Sequence, residues 1–432
     1  MGRLIDPETR SRIQSTIDQK VQSGAVPPLL YLAFDHEGDV FFSHVSGTRG
    51  VESDEPMTRD TVFWVASWTK LVTTIACMQL VEKGALALDD AEQVASLAPE
   101  LSKFKVIVED DGTGNLRLEE QRKPITLRML LSHTAGFGYA FDDVKLRRWS
   151  LPTGIDDFNA DFSELLRHQL VNQPGEAFQY GVGLDWAGLI VQRVTDMTLD
   201  DYVQKHIVRP LGLEEITFLP TESMKSRLAY MHQRGPDGTS LRHTEHINRR
   251  PLLAQTAEDK ERLFHMGGCG LFARPDQYFQ IIASLLNNGF NKRANLQLLK
   301  PETVALMFKD QIPDKPIHTD EPWQSAKPLL ANPTPIFPPP PPTPKEGSEL
   351  PRDDTMGWGL SFALTLRPGA TGRATGTAWW EGLPNLYWFA DRASGIGGII
   401  AAQVLPYGDK HVVRLADEVE KMIYDALRPA KI

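Results

Sequence analysis

The chain has 432 residues, 41% of them apolar, with 46 Lys and Arg against 56 Asp and Glu and a formal net charge of −10. That length and apolar share can bury a large core, in one big domain or two intimately packed ones, without any staple. The acidic balance offers no basic face to a phosphate backbone and argues against nucleic acid as a partner, and two cysteines, Cys77 and Cys269, support neither a disulfide framework nor a cysteine zinc site.

The amino terminus, M-G-R-L-I-D-P-E-T-R-S-R-I-Q-S-T-I, spaces its apolar residues as a helix does and lacks the continuous apolar core of a signal peptide. Position 6 is Asp where myristoylation after Gly2 needs Ser or Thr, and no apolar run is long enough to cross a bilayer. A soluble protein of a reducing compartment, the cytoplasm, with no membrane partner, is the expectation. A helix over about residues 6–23 is followed by P-P-L-L-Y-L-A-F-D and V-F-F-S-H-V-S-G across a Gly-Asp turn, which predicts a hairpin. The middle segments T-L-R-M-L-L-S-H-T, D-W-A-G-L-I-V-Q-R-V-T and D-Q-Y-F-Q-I-I-A-S-L-L carry helical spacing. Strand-like runs return in W-G-L-S-F-A-L-T-L, N-L-Y-W-F-A-D and I-G-G-I-I-A-A-Q-V-L-P, before a closing helix around L-A-D-E-V-E-K-M-I-Y-D-A-L.

Strands at both ends with helices between predict an α+β fold, an α/β sandwich whose antiparallel sheet comes from both termini, is flanked by helices and carries an inserted helical subdomain. The α/β part covers about 1–66 and 350–432 and the helical part about 67–325. A proline-rich insertion at 328–347, including A-N-P-T-P-I-F-P-P-P-P-P-T-P-K-E-G, must be extended and short of internal hydrogen bonds. It reads as a solvated surface insertion, with a lid or a docking ligand for a proline-binding module as the other reading. The last three residues, Ala430-Lys431-Ile432, resemble a degenerate peroxisomal address, for which a chance match is the stronger explanation.

The chemistry concentrates in W-V-A-S-W-T-K, Trp64 to Lys70. A serine at a helix start sits beside unpaired backbone N–H groups, and the residue three positions on shares its face, so Ser67 and Lys70 meet. Desolvation and the positive helix end can lower the lysine until a neutral amine takes the serine proton. The N–H of Ser67 would contribute to an oxyanion hole. S-x-x-K alone occurs often by chance. The same chain, however, carries L-L-S-H-T-A-G-F at 130–137, Q-Y-G-V-G-L-D-W-A-G at 179–188, G-G-C-G-L-F at 267–272 and W-W-E-G-L-P-N at 379–385.

With these motifs in this order the chain resembles the serine β-lactamase-like superfamily of class C β-lactamases, D,D-peptidases, family VIII esterases and fungal acyltransferases. Through K-L-V-T-T-I, the segment from D-D-G-T-G-N to S-H-T, Y-G-V-G-L-D-W-A-G and L-P-N-L-Y-W, it is most similar to the fungal side-chain transesterases. The resemblance implies one β-lactamase/transpeptidase-like catalytic domain over 1–432, with Ser67 as acylated nucleophile, Lys70 as its base and Tyr180 as the phenol relaying a proton. Neighbouring cationic or hydrogen-bonding groups would lower the tyrosine toward a useful value. It further implies that the N–H groups of Ser67 and Leu383 form the oxyanion hole, that Trp380, Glu381 and Gly382 form the far wall, and that Trp64 and Tyr407 contact an alcohol substrate.

Two departures turn the resemblance away from β-lactams. Tyr180-Gly181-Val182 lacks the amide of Tyr-x-Asn, and Trp380-Glu381-Gly382 stands where Lys-Thr-Gly would bind the antibiotic carboxylate, which an acid should repel. Glu381 would point to solvent, reshape the pocket or recognise a polar acceptor. No G-x-S-x-G elbow exists. His133 fits a helix end better than a catalytic role, and His243 and His246 fit a polar loop better than a metal pair, so no metal is expected. Gly395, Gly397 and Gly398 read as a turn between strands and make no dinucleotide fingerprint. No cofactor is implied. The resulting expectation is a serine acyltransferase of secondary metabolism that moves an acyl group from a thioester, on a carrier protein or coenzyme A, through acyl-Ser67 to a hydroxyl of a small molecule. A family VIII type carboxylesterase is the alternative, ahead of a β-lactamase or D,D-peptidase or a scaffold that kept the fold alone.

Overall fold

Residues Leu29–Asp35 alternate between two destinations: Leu29, Tyr31 and Ala33 join one apolar cluster, Leu30, Leu32 and Phe34 another. The period-two pleat makes this strand a divider between two cores. The computed structural model of the protein describes residues 5–109, 114–315, 325–332 and 356–428. In it that strand belongs to a seven-stranded sheet ordered Met356–Trp358, Ala363–Thr365, Ala378–Gly382, Leu386–Asp391, Ile396–Ala401, Leu29–Asp35, Val40–Ser46. Every pairing in it is antiparallel, and Leu30 lies between Val45 and Ala401, so both ends of the chain build one sheet as expected.

The helices Pro7–Gln22 and Lys410–Leu427 cover one face. Ile13, Ile17, Val412, Val419 and Ile423 meet Tyr31, Phe389 and Ile400 there, and each such buried side chain contributes about 1.5 to 3 kcal/mol. Both helices start on an aspartate: Asp6 accepts from the N–H of Thr9, with Pro7 at the first helical position, and Asp409 accepts from those of His411 and Val412. On the other face lie Thr69–Glu82, Gly183–Thr195 and Pro275–Leu286, the last packing Phe279 against Phe34 with tilted rings 5.0 Å apart. Thr69–Glu82 is buried at every position from Thr69 to Leu80, which fits a central helix surrounded by protein on all sides.

Some sequence expectations change. The helix expected around T-L-R-M-L-L-S-H-T is only Leu127–Leu131, capped by Thr126 and ended by His133 at φ 54. The helical block also holds short strands, among them Val106–Glu109 with Leu116–Glu119 and Met231–Arg234 with Leu241–Thr244, too brief for periodicity to register. Gly395 does turn, at φ 64, but Gly397 and Gly398 lie inside the strand Ile396–Ala401. A Cβ there would stand 2.6 Å from the Phe34 ring or 2.3 Å from the Phe389 ring, so the glycines make room for aromatic side chains of the neighbouring strands. Of the proline-rich insertion only residues 328–332 are described, where Ala331 bridges to Tyr407. The rest of it, most of D-D-G-T-G-N and the last four residues lie outside the described residues. Among the described residues no helix is long and apolar enough to cross a membrane.

Candidate active site

Of residues 61 to 80, Ser67 alone is not buried. It occupies a 3₁₀ turn, Ala66–Trp68, that runs into Thr69–Glu82, and Ala66 just before it adopts φ 44, a left-handed conformation that costs a non-glycine residue roughly 1 kcal/mol or more. Tertiary contacts hold this strained turn. Val65 N–H donates to Leu271 O, Leu271 N–H to Thr69 Oγ1, and Gln403 Nε2 to Trp64 O. The strand Phe63–Trp64 pairs with Phe272–Ala273, which carries G-G-C-G-L-F against the Ser67 turn.

Lys70 is fully buried, with Nζ at 3.0 Å from Ser67 Oγ, 2.9 Å from Tyr139 Oη and 2.9 Å from Gly268 O. Those three partners saturate an ammonium. A neutral amine has two N–H bonds and one lone pair; since the Gly268 carbonyl can only accept, the lone pair is left for a hydroxyl, and Ser67 can point its proton at it. Burial lowers the amine from 10.5 to about 8, against the opposing pull of Cys269 and Asp185. The lysine is thus partly neutral near physiological pH, as a general base must be.

Tyr180 precedes the helix Gly183–Thr195, and its hydroxyl receives the Trp380 Nε1–H at 3.1 Å and also bonds Ser67. Lys70 Nζ lies 4.5 Å from the centre of its ring. The expected lowering of this tyrosine does not occur: burial pushes it up, outweighing the hydrogen bonds from Ser67 and Trp380. The phenol therefore stays protonated at neutral pH and can pass a proton only while receiving another. The strand Ala378–Gly382 closes the far side, where a Cβ on Gly382 would come within 2.9 Å of Val65 O. The following turn carries Leu383 and is pinned by buried Asn385 at φ 62, whose Nδ2 donates to Val404 O and Pro406 O and whose Oδ1 receives Tyr387 Oη–H and Asp409 N–H. The Ser67 turn and the Leu383 turn thus lie side by side.

Strand alternation separates the remaining expected residues. Trp380 faces Tyr180 and Trp358, with ring centroids 5.0 and 4.4 Å away, whereas Glu381 faces the opposite side of the sheet with Tyr387. Glu381 is buried, so it does not point to solvent. It accepts a hydrogen bond from Tyr407, and burial pushes its carboxyl up to about 7. The repulsion of a β-lactam carboxylate expected from it does not follow from this placement. Trp64 is also fully buried, donating to Cys269 O at 2.7 Å and packing edge-on against Phe158, so it supports the site from behind. Tyr407 is half-buried beside Ala331.

A carboxyl that ionises near 4.5 in the unfolded chain and near 7 when folded loses stability for the fold as pH rises through that window, about 3 kcal/mol in all. Glu381→Gln removes that cost. Thermal melts should show the variant matching the wild type at pH 4 and exceeding it at pH 8; an equal or lower melting temperature at pH 8 contradicts the burial argument.

Tyr139 and the Gly268 carbonyl were missed from sequence. Their signals were present, a tyrosine two residues after L-L-S-H-T-A-G-F and the glycine pair of G-G-C-G, but neither spacing says that they reach Lys70. His133 Nδ1 accepts from Gly181 N–H at 3.3 Å, which ties the helix end to the Tyr180 loop. His243 stacks on Tyr230 and His246 bonds Ala229 O. Among the described residues no group of three His, Cys, Asp or Glu side chains could hold a metal ion.

The profile of the Beta-lactamase family matches residues 13–314. Monacolin J acid methylbutanoyltransferase of Aspergillus terreus is 32% identical over 439 residues, 98% of each chain. Lovastatin esterase of Penicillium rubens is 31% identical over 402 residues, 91% of this chain and 93% of that one. Among solved structures, unliganded simvastatin synthase of Aspergillus terreus matches with a TM-score of 0.77 at 30% identity, over 97% of this chain and 98% of that one. The sheet from both termini, the buried lysine of the central helix beside a serine in the turn before it, and these likenesses along nearly the whole chain agree: the chain belongs to the Beta-lactamase family.

Proposed function

We propose that the acyl transfer this enzyme performs runs in two half-reactions through Ser67, from a thioester on a carrier protein or coenzyme A to a hydroxyl of a small natural product. In the first, Ser67 Oγ attacks the thioester carbonyl while its proton passes to neutral Lys70. The oxyanion rests on the N–H groups of Ser67 and Leu383, and collapse breaks the C–S bond, the thiol leaving with the proton returned by way of Tyr180. In the second, the acceptor hydroxyl attacks acyl-Ser67, giving its proton to the same relay, and Ser67 is released. Trp380, Gly382 and Tyr407 border the acceptor. The observation that carries this reading is the fully buried Lys70 amine at 3.0 Å from the half-buried Ser67 hydroxyl, which belongs to the one residue of 61–80 that is not buried. The name of the Aspergillus relative gives a methylbutanoyl group and monacolin J acid, a cargo and acceptor of the proposed class.

Hydrolysis by the same acyl-enzyme is the second reading, favoured by the relative named lovastatin esterase. The two differ in whether water or an alcohol reaches the intermediate. Intact mass after mixing with butyryl-coenzyme A separates them. We expect an adduct of one butyryl group that persists without acceptor and collapses when a secondary alcohol of polyketide type is added. An adduct that decays equally fast without the alcohol makes the enzyme an esterase, and no adduct at any time removes the covalent route.

A further inference from the structure

Asp185 lies in the first turn of Gly183–Thr195, behind the Lys70 pocket, and takes no part in the chemistry above. It is 3% exposed, and its bonding is half made: Oδ1 receives the Gly268 N–H at 3.0 Å while Oδ2 has no hydrogen-bond partner. Gly268 is held between acid and base. Its N–H points at Asp185 and its carbonyl at Lys70 Nζ, and a Cβ added to it would lie 2.7 Å from Asp185 Oδ2 and 3.0 Å from Tyr139 Oη. A buried carboxylate with an idle oxygen is expensive and is retained where its charge is used.

We propose that Asp185 is a positioning residue for Lys70: through Gly268 it fixes the carbonyl that orients the amine, and its charge sets the pH range over which that amine serves Ser67. This rests on the role given to Lys70 above. The ionisable groups around the pair come from every element packed on it. Tyr139, Tyr180, His133 and Cys269 join Asp185 around Lys70, while His168, Asp157, Tyr139 and Cys269 surround Asp185. Asp157 and His168 pair with each other at 3.3 Å, and Asp157 also receives the N–H groups of Ala140 and Phe141, so both are committed to the Tyr139 loop. Burial, first, and Lys70, in opposition, leave the Asp185 carboxyl at about 6, ionised where Lys70 titrates.

A carboxylate favours the ammonium form of its neighbour, so removing it makes Lys70 neutral at lower pH. The test is the pH profile of kcat/KM for p-nitrophenyl butyrate from pH 5.5 to 9.5, read on the full chain. In Asp185→Asn the acid limb should move to lower pH by about one unit, with the plateau about tenfold to a hundredfold lower because the Gly268 carbonyl is less firmly held. Asp185→Glu, which keeps the charge, should keep the limb. Melting curves report folding, and Asp185→Ser, which removes the charge in a smaller side chain, serves if Asp185→Asn does not fold. Variants that are slower with an unmoved limb have lost a structural contact only, which overturns the proposal. A wild type that never acylates at Ser67 overturns it together with the role of Lys70, whereas an unmoved limb in a wild-type-competent enzyme overturns it alone.

Discussion

Ser67→Ala should leave a folded protein that gains no acyl mass from a thioester and loses turnover by on the order of 10⁴-fold or more. The size of the effect follows from what the hydroxyl supplies. Among the described residues hydrogen-bonded to the Lys70 amine, Ser67 is the one that is not buried, at 3.0 Å, and Tyr180 bonds it. Without its hydroxyl the proposed oxyanion donors and the buried amine remain, but direct attack by an alcohol on the thioester lacks the orientation that the proposed covalent intermediate provides. Stability should change little, because Ser67 is the least buried residue of its turn and alanine keeps its Cβ. The measurement is intact mass together with thiol release. An adduct of equal yield in the alanine variant would place the nucleophile elsewhere.

The second large effect separates activity from stability in opposite directions. Lys70→Met should lower acylation by on the order of 10³-fold while raising the melting temperature at pH 7. The amine ionises near 10.5 in an unfolded chain and at about 8 here. Its burial penalty is therefore present in full below pH 8 and is relieved as pH rises to 10.5, a difference of about 3 kcal/mol. Methionine has a similar volume and no charge, so it removes the penalty; the loss of a donor to the Gly268 carbonyl returns about 1 kcal/mol. Melts at pH 7 and pH 10 should show the advantage of the variant shrinking at the higher pH. The wild-type rate should climb between pH 6 and 8 as the amine becomes neutral. A rate that falls over that interval, or a variant that keeps its activity, would refute the assignment of Lys70 as base.

The parts legible in the sequence are those that depend on neighbours in the chain. The alternation of Leu29–Asp35, the caps at Asp6 and Asp409, and the three-residue spacing of Ser67 and Lys70 each follow from local geometry, and the two terminal helices and the hairpin form where they are expected. The family resemblance added Tyr180 and the Trp380 strand, which no local rule connects to Ser67. Local geometry also misled. Neighbouring groups suggested a lowered Tyr180, but the enclosure of its ring raises it. Glu381 read as a polar wall residue because a motif is a line of letters, whereas a strand sends adjacent residues to opposite faces and its partner strand decides which face is the site.

What the sequence by itself determined, by the order of its motifs and the family they resemble, is the class of chemistry, acyl transfer, for which it offers a serine with a lysine one helical turn away. Only the tertiary structure decided how that chemistry is set. Burial, which depends on every packed element at once, holds Lys70 at about 8. Contacts between residues far apart in the chain bring Tyr139, Gly268 and Asp185 to the amine across separations of 69, 198 and more than a hundred residues. The protonation state of a buried group depends on charges and dielectric in three dimensions, and no spacing along the chain encodes it.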